Sequence, residues 1–174
     1  MDHTTLARRV KETAFLEGDF LLRSGKRSKF YLDKYLFETQ PDILEAMGHE
    51  IAQRLPPQTV RIAGPELGAV ALAAAASLAS KKPFFIVRNA KKDYGTAKTI
   101  EGKLDKGDLV VLVEDIVTSG GQVIEAIKNI SEQGAIVIKV IVALDRQEGG
   151  RENILAAAPS VAYEAILTKT DLGI

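Results

Sequence analysis

Cysteine is absent from this 174-residue chain, which excludes disulfides, zinc–thiolate sites and thiol nucleophiles. Histidine is nearly absent. His3 and His49 stand in no metal-ligand pattern, and the polar neighbours of His49 put it on the solvated face of a helix. No excess charge of either sign exists: Lys+Arg and Asp+Glu each number 23, so the broad basic surface of a dedicated nucleic-acid binder is missing. Long hydrophobic runs are missing as well. The longest, Ala69 to Ala79, is alanine-rich, includes Ser77 and is too short to span a bilayer. The first residues include Asp2, Arg8, Arg9, Lys11 and Glu12, which is not the pattern of a signal peptide, and a cytoplasmic protein is expected. Two phosphate-binding signatures do not occur either, Gly-x-x-x-x-Gly-Lys and Gly-x-Gly-x-x-Gly. There is no internal repeat and no low-complexity linker.

With 46% apolar and 26% charged residues, the chain can bury a sizeable core, and one domain over residues 1–174 is expected. It is organised around Leu109 to Gly121. Leu109 to Val113 are five apolar residues, three of them valine, which predicts a buried parallel strand ending where Glu114 and Asp115 begin. Thr118-Ser119-Gly120-Gly121 predicts a tight loop. Val123, Ile127 and Ile130 predict a helix over 122–133. A loop that opens a helix presents free N–H groups and the positive end of the helix dipole, which suits a phosphate. The glycines allow close approach and the hydroxyls add donors. Glu114 and Asp115 would repel a bare phosphate; they suit hydroxyl groups, or a cation carried beside them. A ribose 5-phosphate meets both demands. An ordinary strand-to-helix turn is the plainer alternative.

The remaining chain alternates in the same way. Asp2 can cap a helix over 4–14. Residues 18–33 read as a hairpin around a Ser-Gly-Lys-Arg turn, or simply as a solvated basic turn. Pro41 opens a helix that Pro56-Pro57 stops. A strand over 59–63, a Gly64-Pro65-Glu66-Leu67-Gly68 turn and a small-residue helix over 69–80 follow, then a strand over 83–87. Residues 88–103 are about fifteen positions rich in cations and glycine without periodicity, either a functional loop or a solvated one. A β-branched strand over 135–144 ends in Asp145-Arg146-Gln147-Glu148. Arg146 therefore faces the same crevice as Glu114 and Asp115, or makes a salt-bridged turn. A short helix over 152–157 and a strand over 161–167 complete the pattern. The expected fold class is α/β, a parallel sheet flanked by helices on both faces.

The segment Val110 to Gln122 resembles the signature of the type I phosphoribosyltransferases, which use phosphoribosyl pyrophosphate (PRPP). The resemblance implies that Glu114 and Asp115 hold the ribose hydroxyls, that Thr118, Ser119, Gly120 and Gly121 hold the 5′-phosphate, and that Ile116, Val117 and Gln122 belong to the PRPP-binding segment. Other segments resemble the orotate phosphoribosyltransferases in particular. Residues 15–40 are similar to their small N-terminal hood, with Arg23 and Tyr31, beside Phe30, at the orotate pocket. Residues 88–103 are similar to their mobile catalytic loop, in which Arg88, Lys91, Lys92 and Tyr94 would meet PRPP and Lys92 would be catalytic with Glu114 and Asp115. Asn89 stands where a second cation is common, and Tyr94 replaces the histidine of some members. The Asp145 to Glu148 run is similar to the segment whose arginine binds the orotate carboxylate, so Arg146 and Thr118 join the orotate residues. The 64–68 turn would bind pyrophosphate through backbone groups, because Glu66 and Leu67 stand where some members have lysine. The resemblance further implies Mg²⁺ carried on substrate oxygens with no direct protein ligand, a homodimer with shared active sites, and the conversion of orotate and PRPP to orotidine 5′-monophosphate and pyrophosphate in de novo pyrimidine (UMP) biosynthesis. No nucleic-acid or membrane partner is expected. Transfer to a purine or another base, or a PRPP-sensing regulator without turnover, are the alternatives.

Overall fold

The computed structural model describes residues 1–21, 25, 27–88 and 99–174. Helix α1 (His3–Ala14) begins where the Asp2 carboxylate accepts a hydrogen bond from the Thr5 amide at 2.9 Å. The expected hairpin is present as β1 (Phe15–Leu21) and β2 (Arg27–Leu32), paired antiparallel, with the Phe15 and Phe30 rings stacked at 5.3 Å. A five-residue helix, α2 (Lys34–Glu38), follows from an Asp33 cap and was not anticipated. Pro41 opens α3 (Pro41–Gln53) as its fixed φ favours.

The main sheet has six strands: β3 (Arg61–Pro65), β4 (Phe84–Val87), β5 (Ile100–Glu101), β6 (Leu109–Val117), β7 (Ile136–Asp145) and β8 (Ala162–Thr168). Their order is β5-β4-β3-β6-β7-β8, and every pairing is parallel except β4 with β5. Residues 100–101 are thus an edge strand rather than part of an unstructured loop. Ile100 pairs with Val87 and is buried, which supplies the reason. The helices α4 (Ala69–Ser80), α5 (Gly121–Glu132) and α6 (Gly150–Ala157) alternate with these strands.

Strand alternation divides the core. Val111 and Val113 of β6 face Phe37, Ile43, Met47 and Leu72 from α2, α3 and α4. Val110 and Leu112 face Val123, Ile127 and Ile130 of α5 and Ile154 of α6. Each fully buried aliphatic side chain contributes about 1.5–3 kcal/mol, so a strand buried on both faces is firmly held.

Strand β6 is longer than its apolar run. It continues through Glu114 and Asp115 to Val117, with Glu114 opposite Val142 and Val117 opposite Asp145 on β7. The backbone ladder carries the two acids inside the strand, where the apolar pattern alone predicts its end. His49 is exposed, as its neighbours implied. Among the described residues, no helix is long and apolar enough to cross a membrane.

Candidate active site

Between β3 and β6 the strand order reverses: the chain runs outward to β4 on one side and to β7 and β8 on the other. Such a switch point opens a crevice at the carboxyl ends of the strands. The loop after β6 forms its floor. Gly120 caps α5 with φ 81° and no side-chain cap bond, which leaves first-turn N–H groups for a ligand. A Cβ on Gly120 would lie 2.8 Å from Ile154 Cγ1 and 2.9 Å from the Gly150 carbonyl oxygen, so both the turn and the packing require glycine. Asn153 Nδ2 donates to the Ser119 carbonyl at 3.0 Å and steadies the loop. Glu114, Ile116, Val117, the 118–122 loop and Val123 line a cavity of about 180 Å³. A larger apolar groove of about 640 Å³ between α3 and α4 lies away from the strand ends.

The acids above this cradle are buried: Glu114 is 4% and Asp115 2% exposed. Asp115 Oδ2 accepts a hydrogen bond from Lys34 Nζ at 2.6 Å, and Oδ1 accepts from the Ile116 amide at 2.5 Å. Glu38, one turn after Lys34, is 3% exposed and also meets Asp115. Burial first, and the Asp115 charge second, raise the Glu38 pKa to about 8. The same two causes push Glu114 well above the usual carboxylate range. Burial works against the Lys34 ammonium, but the Asp115 hydrogen bond and charge outweigh it and leave its pKa raised. Glu38 Oε1 and Glu114 Oε2 are buried without a hydrogen-bond partner. Three acidic side chains and one lysine therefore converge.

The neighbouring strand ends bring further groups. The Arg146 amide donates to the Val117 carbonyl at 3.0 Å, which places Arg146 beside the cradle, and its guanidinium pairs with Glu148 at 2.9 Å. Asp145 holds this turn: Oδ1 accepts from the Gln147 amide and Oδ2 from the Tyr163 hydroxyl, both at 2.7 Å. Arg88 stands just beyond β4, half-buried, 3.7 Å from Glu66 in the turn after β3. Tyr31 sits in the hood, 44% exposed, with its ring 5.6 Å from Phe20. Val117 is 1% exposed, so its side chain is core and only its backbone can serve the site. Thr118 is half-buried, while Ser119, Gly121 and Gln122 are exposed. Arg23, Lys91, Lys92 and Tyr94, with Asn89, lie outside the described residues. Lys34 and Glu38 were missed by the sequence reading. Asp33 as a helix cap, followed by a cation and an acid four apart, was the available signal.

A phosphate-sized cradle at a helix N-terminus, buried acids beside it and a parallel sheet with its switch point there define an α/β protein that binds a sugar phosphate. Residues 38–156 match the family model described as the phosphoribosyl transferase domain. The orotate phosphoribosyltransferase of Methanocaldococcus jannaschii is 49% identical over 137 residues, 79% of this chain and 78% of the relative. The crystal structure of orotate phosphoribosyltransferase from Aeropyrum pernix superposes with a TM-score of 0.81 at 30% identity, covering 96% of this chain and 95% of the other. That of the Mycobacterium tuberculosis enzyme in complex with PRPP gives 0.82 at 27% identity over all of both chains. The chain belongs to the phosphoribosyltransferase family and, within it, to the orotate phosphoribosyltransferases.

Proposed function

We propose that the protein transfers the 5-phosphoribosyl group of PRPP to orotate, giving orotidine 5′-monophosphate and pyrophosphate in pyrimidine biosynthesis. The observation that carries this reading is the buried Glu114–Asp115 pair, set in β6 five residues before Gly120, where α5 starts without a side-chain cap. The acids accept the ribose hydroxyls and the Thr118 to Gly121 loop accepts the 5′-phosphate. These contacts fix the anomeric carbon, where the bond to pyrophosphate breaks as the orotate nitrogen approaches. Positive charge grows on the ribose ring during this displacement. Buried carboxylates beside the ring stabilise it more than exposed ones would. Orotate can offer an already anionic nitrogen, so no strong base is needed, and the Arg146 fork fits its carboxylate. Arg23, Tyr31 and Thr118 complete the orotate side.

Arg88, Lys91, Lys92 and Tyr94 serve the pyrophosphate, whose charge grows on leaving. Mg²⁺, when bound, neutralises part of that charge. The residues fit an ion carried on substrate oxygens, since Glu114 lines the cradle cavity and keeps an unpartnered buried oxygen. A cytoplasmic homodimer with shared sites belongs to the same proposal. The test is the loss of orotate absorbance on mixing protein, orotate, PRPP and Mg²⁺. Turnover is expected; tight PRPP binding without turnover of orotate would overturn the reading.

A further inference from the structure

Lys34 is the one described cation in contact with the buried acids, and it reaches them from α2. Its ammonium is bonded to Asp115, yet its side chain remains 30% exposed, so it is open to the crevice. It also lies against the turn after β3. A Cβ built on Gly68 would fall 3.1 Å from Lys34 Nζ and 1.6 Å from Asp115 Oδ2, so this turn closes directly over the ion pair. The turn itself supplies Glu66 and Leu67 and no cation. Arg88, on its far side, stands beside Glu66. A diphosphate seated on backbone groups of this turn, with Arg88 beside Glu66, would find Lys34 as the described cation next to Asp115.

We propose that Lys34 is a substrate-binding residue, which leaves Asp115 on PRPP binding and takes the diphosphate across the Gly68 turn. The exchange is donor for donor. Ribose hydroxyls replace the ammonium on Asp115, and the ammonium gains charge-assisted bonds to diphosphate oxygens. Gly68 permits the crossing, because any side chain there would fill the gap between Lys34, Asp115 and the turn. Glu38 lets Asp115 release the lysine. A proton retained on Glu38 allows the two carboxyl groups to stay adjacent without the cation. The same helix thus delivers the binding group and the acid that permits its departure.

This inference rests on the PRPP reading, and its test is chosen to fail separately from it. Titration of the purified protein with inorganic pyrophosphate in MgCl₂, and separately with ribose 5-phosphate, reads the two halves of the ligand. In Lys34→Met, pyrophosphate should bind about tenfold more weakly and ribose 5-phosphate within about twofold of the unsubstituted protein. Lys34→Arg should recover most of the pyrophosphate affinity. In turnover, the KM for PRPP should rise while that for orotate holds. Unchanged pyrophosphate affinity overturns the proposal. So does equal weakening of both ligands, with a lowered Tm, in both Lys34→Met and Lys34→Gln, since that marks a lysine that only holds Asp115. Absence of orotate turnover in the unsubstituted protein would sink the activity, while the pyrophosphate titration would still decide the role of Lys34.

Discussion

Glu38 and Glu114 make the stability of this protein respond to pH in an unusual direction. Both acids are buried beside Asp115, and both have raised pKa values, Glu38 from 4.5 to about 8. Between those two values the folded chain holds a proton that the unfolded chain has released, so raising the pH favours unfolding. The Tm should be highest near the lower end of the window. It should fall as the pH rises to about 8, and Glu38→Gln should flatten the decline. Thermal melts across this range decide the matter; a Tm that climbs with pH would contradict it. Glu114→Gln separates catalysis from folding. Its amide resembles the protonated acid of the free protein but can never become the carboxylate that stabilises a cationic sugar, so kcat/KM should fall by about tenfold or more while the Tm holds.

At the scale of elements, the sequence made some features plain and hid others. The apolar run of β6, the Thr118 to Gly121 loop and the period of α5 are local patterns, and the strand, loop and helix lie where they point. The end of β6 was not local: Glu114 and Asp115 stay in the strand because β7 continues beside them, and no residue of β6 reports that partner. Helix α2 has five residues, too few for a period to emerge. Its contact with Asp115 spans 81 positions and exists only once the hood packs against the sheet. The two residues of β5 are equally short, and their pairing with β4 decides them. The cradle offers its own test. Gly120→Ala forces a side chain into the left-handed region, which costs about 1–2 kcal/mol, and drives its Cβ toward Ile154. Ribose 5-phosphate affinity and Tm should both drop. Gly121 has φ outside that region and open space around it, so Gly121→Ala should leave the Tm nearly unchanged.

Across the whole molecule, the sheet has a working end and a structural end. The ligand groups gather at the carboxyl ends of the parallel strands. At the opposite end, Arg61 at the start of β3 pairs with Asp108 at 2.5 Å and Asp105 at 3.0 Å, with its side chain only 12% exposed. Burial alone would raise the Asp108 pKa, but the Asp105 amide and Arg61 outweigh it and hold the carboxyl below its usual value. Removing Arg61 leaves the largely buried Asp108 without its guanidinium, while the exposed Asp105 keeps Lys103 at 3.2 Å. Arg61→Ala should lower the Tm by several degrees, while kcat/KM measured well below the melt stays within about twofold of the unsubstituted protein, because the network is remote from the crevice. Calorimetry and an orotate assay on the same preparation read both outcomes.

The single bond from the Arg146 amide to the Val117 carbonyl has a consequence for how new specificities arise. Glu114 and Asp115 belong to a strand buried on both faces, whereas Arg146 belongs to a surface turn moored to that strand by its backbone and by Asp145. On the proposed roles, selection can therefore rewrite the turn assigned to the acceptor without disturbing the strand assigned to the donor. A protein built this way inherits its donor and is free to diverge in its acceptor.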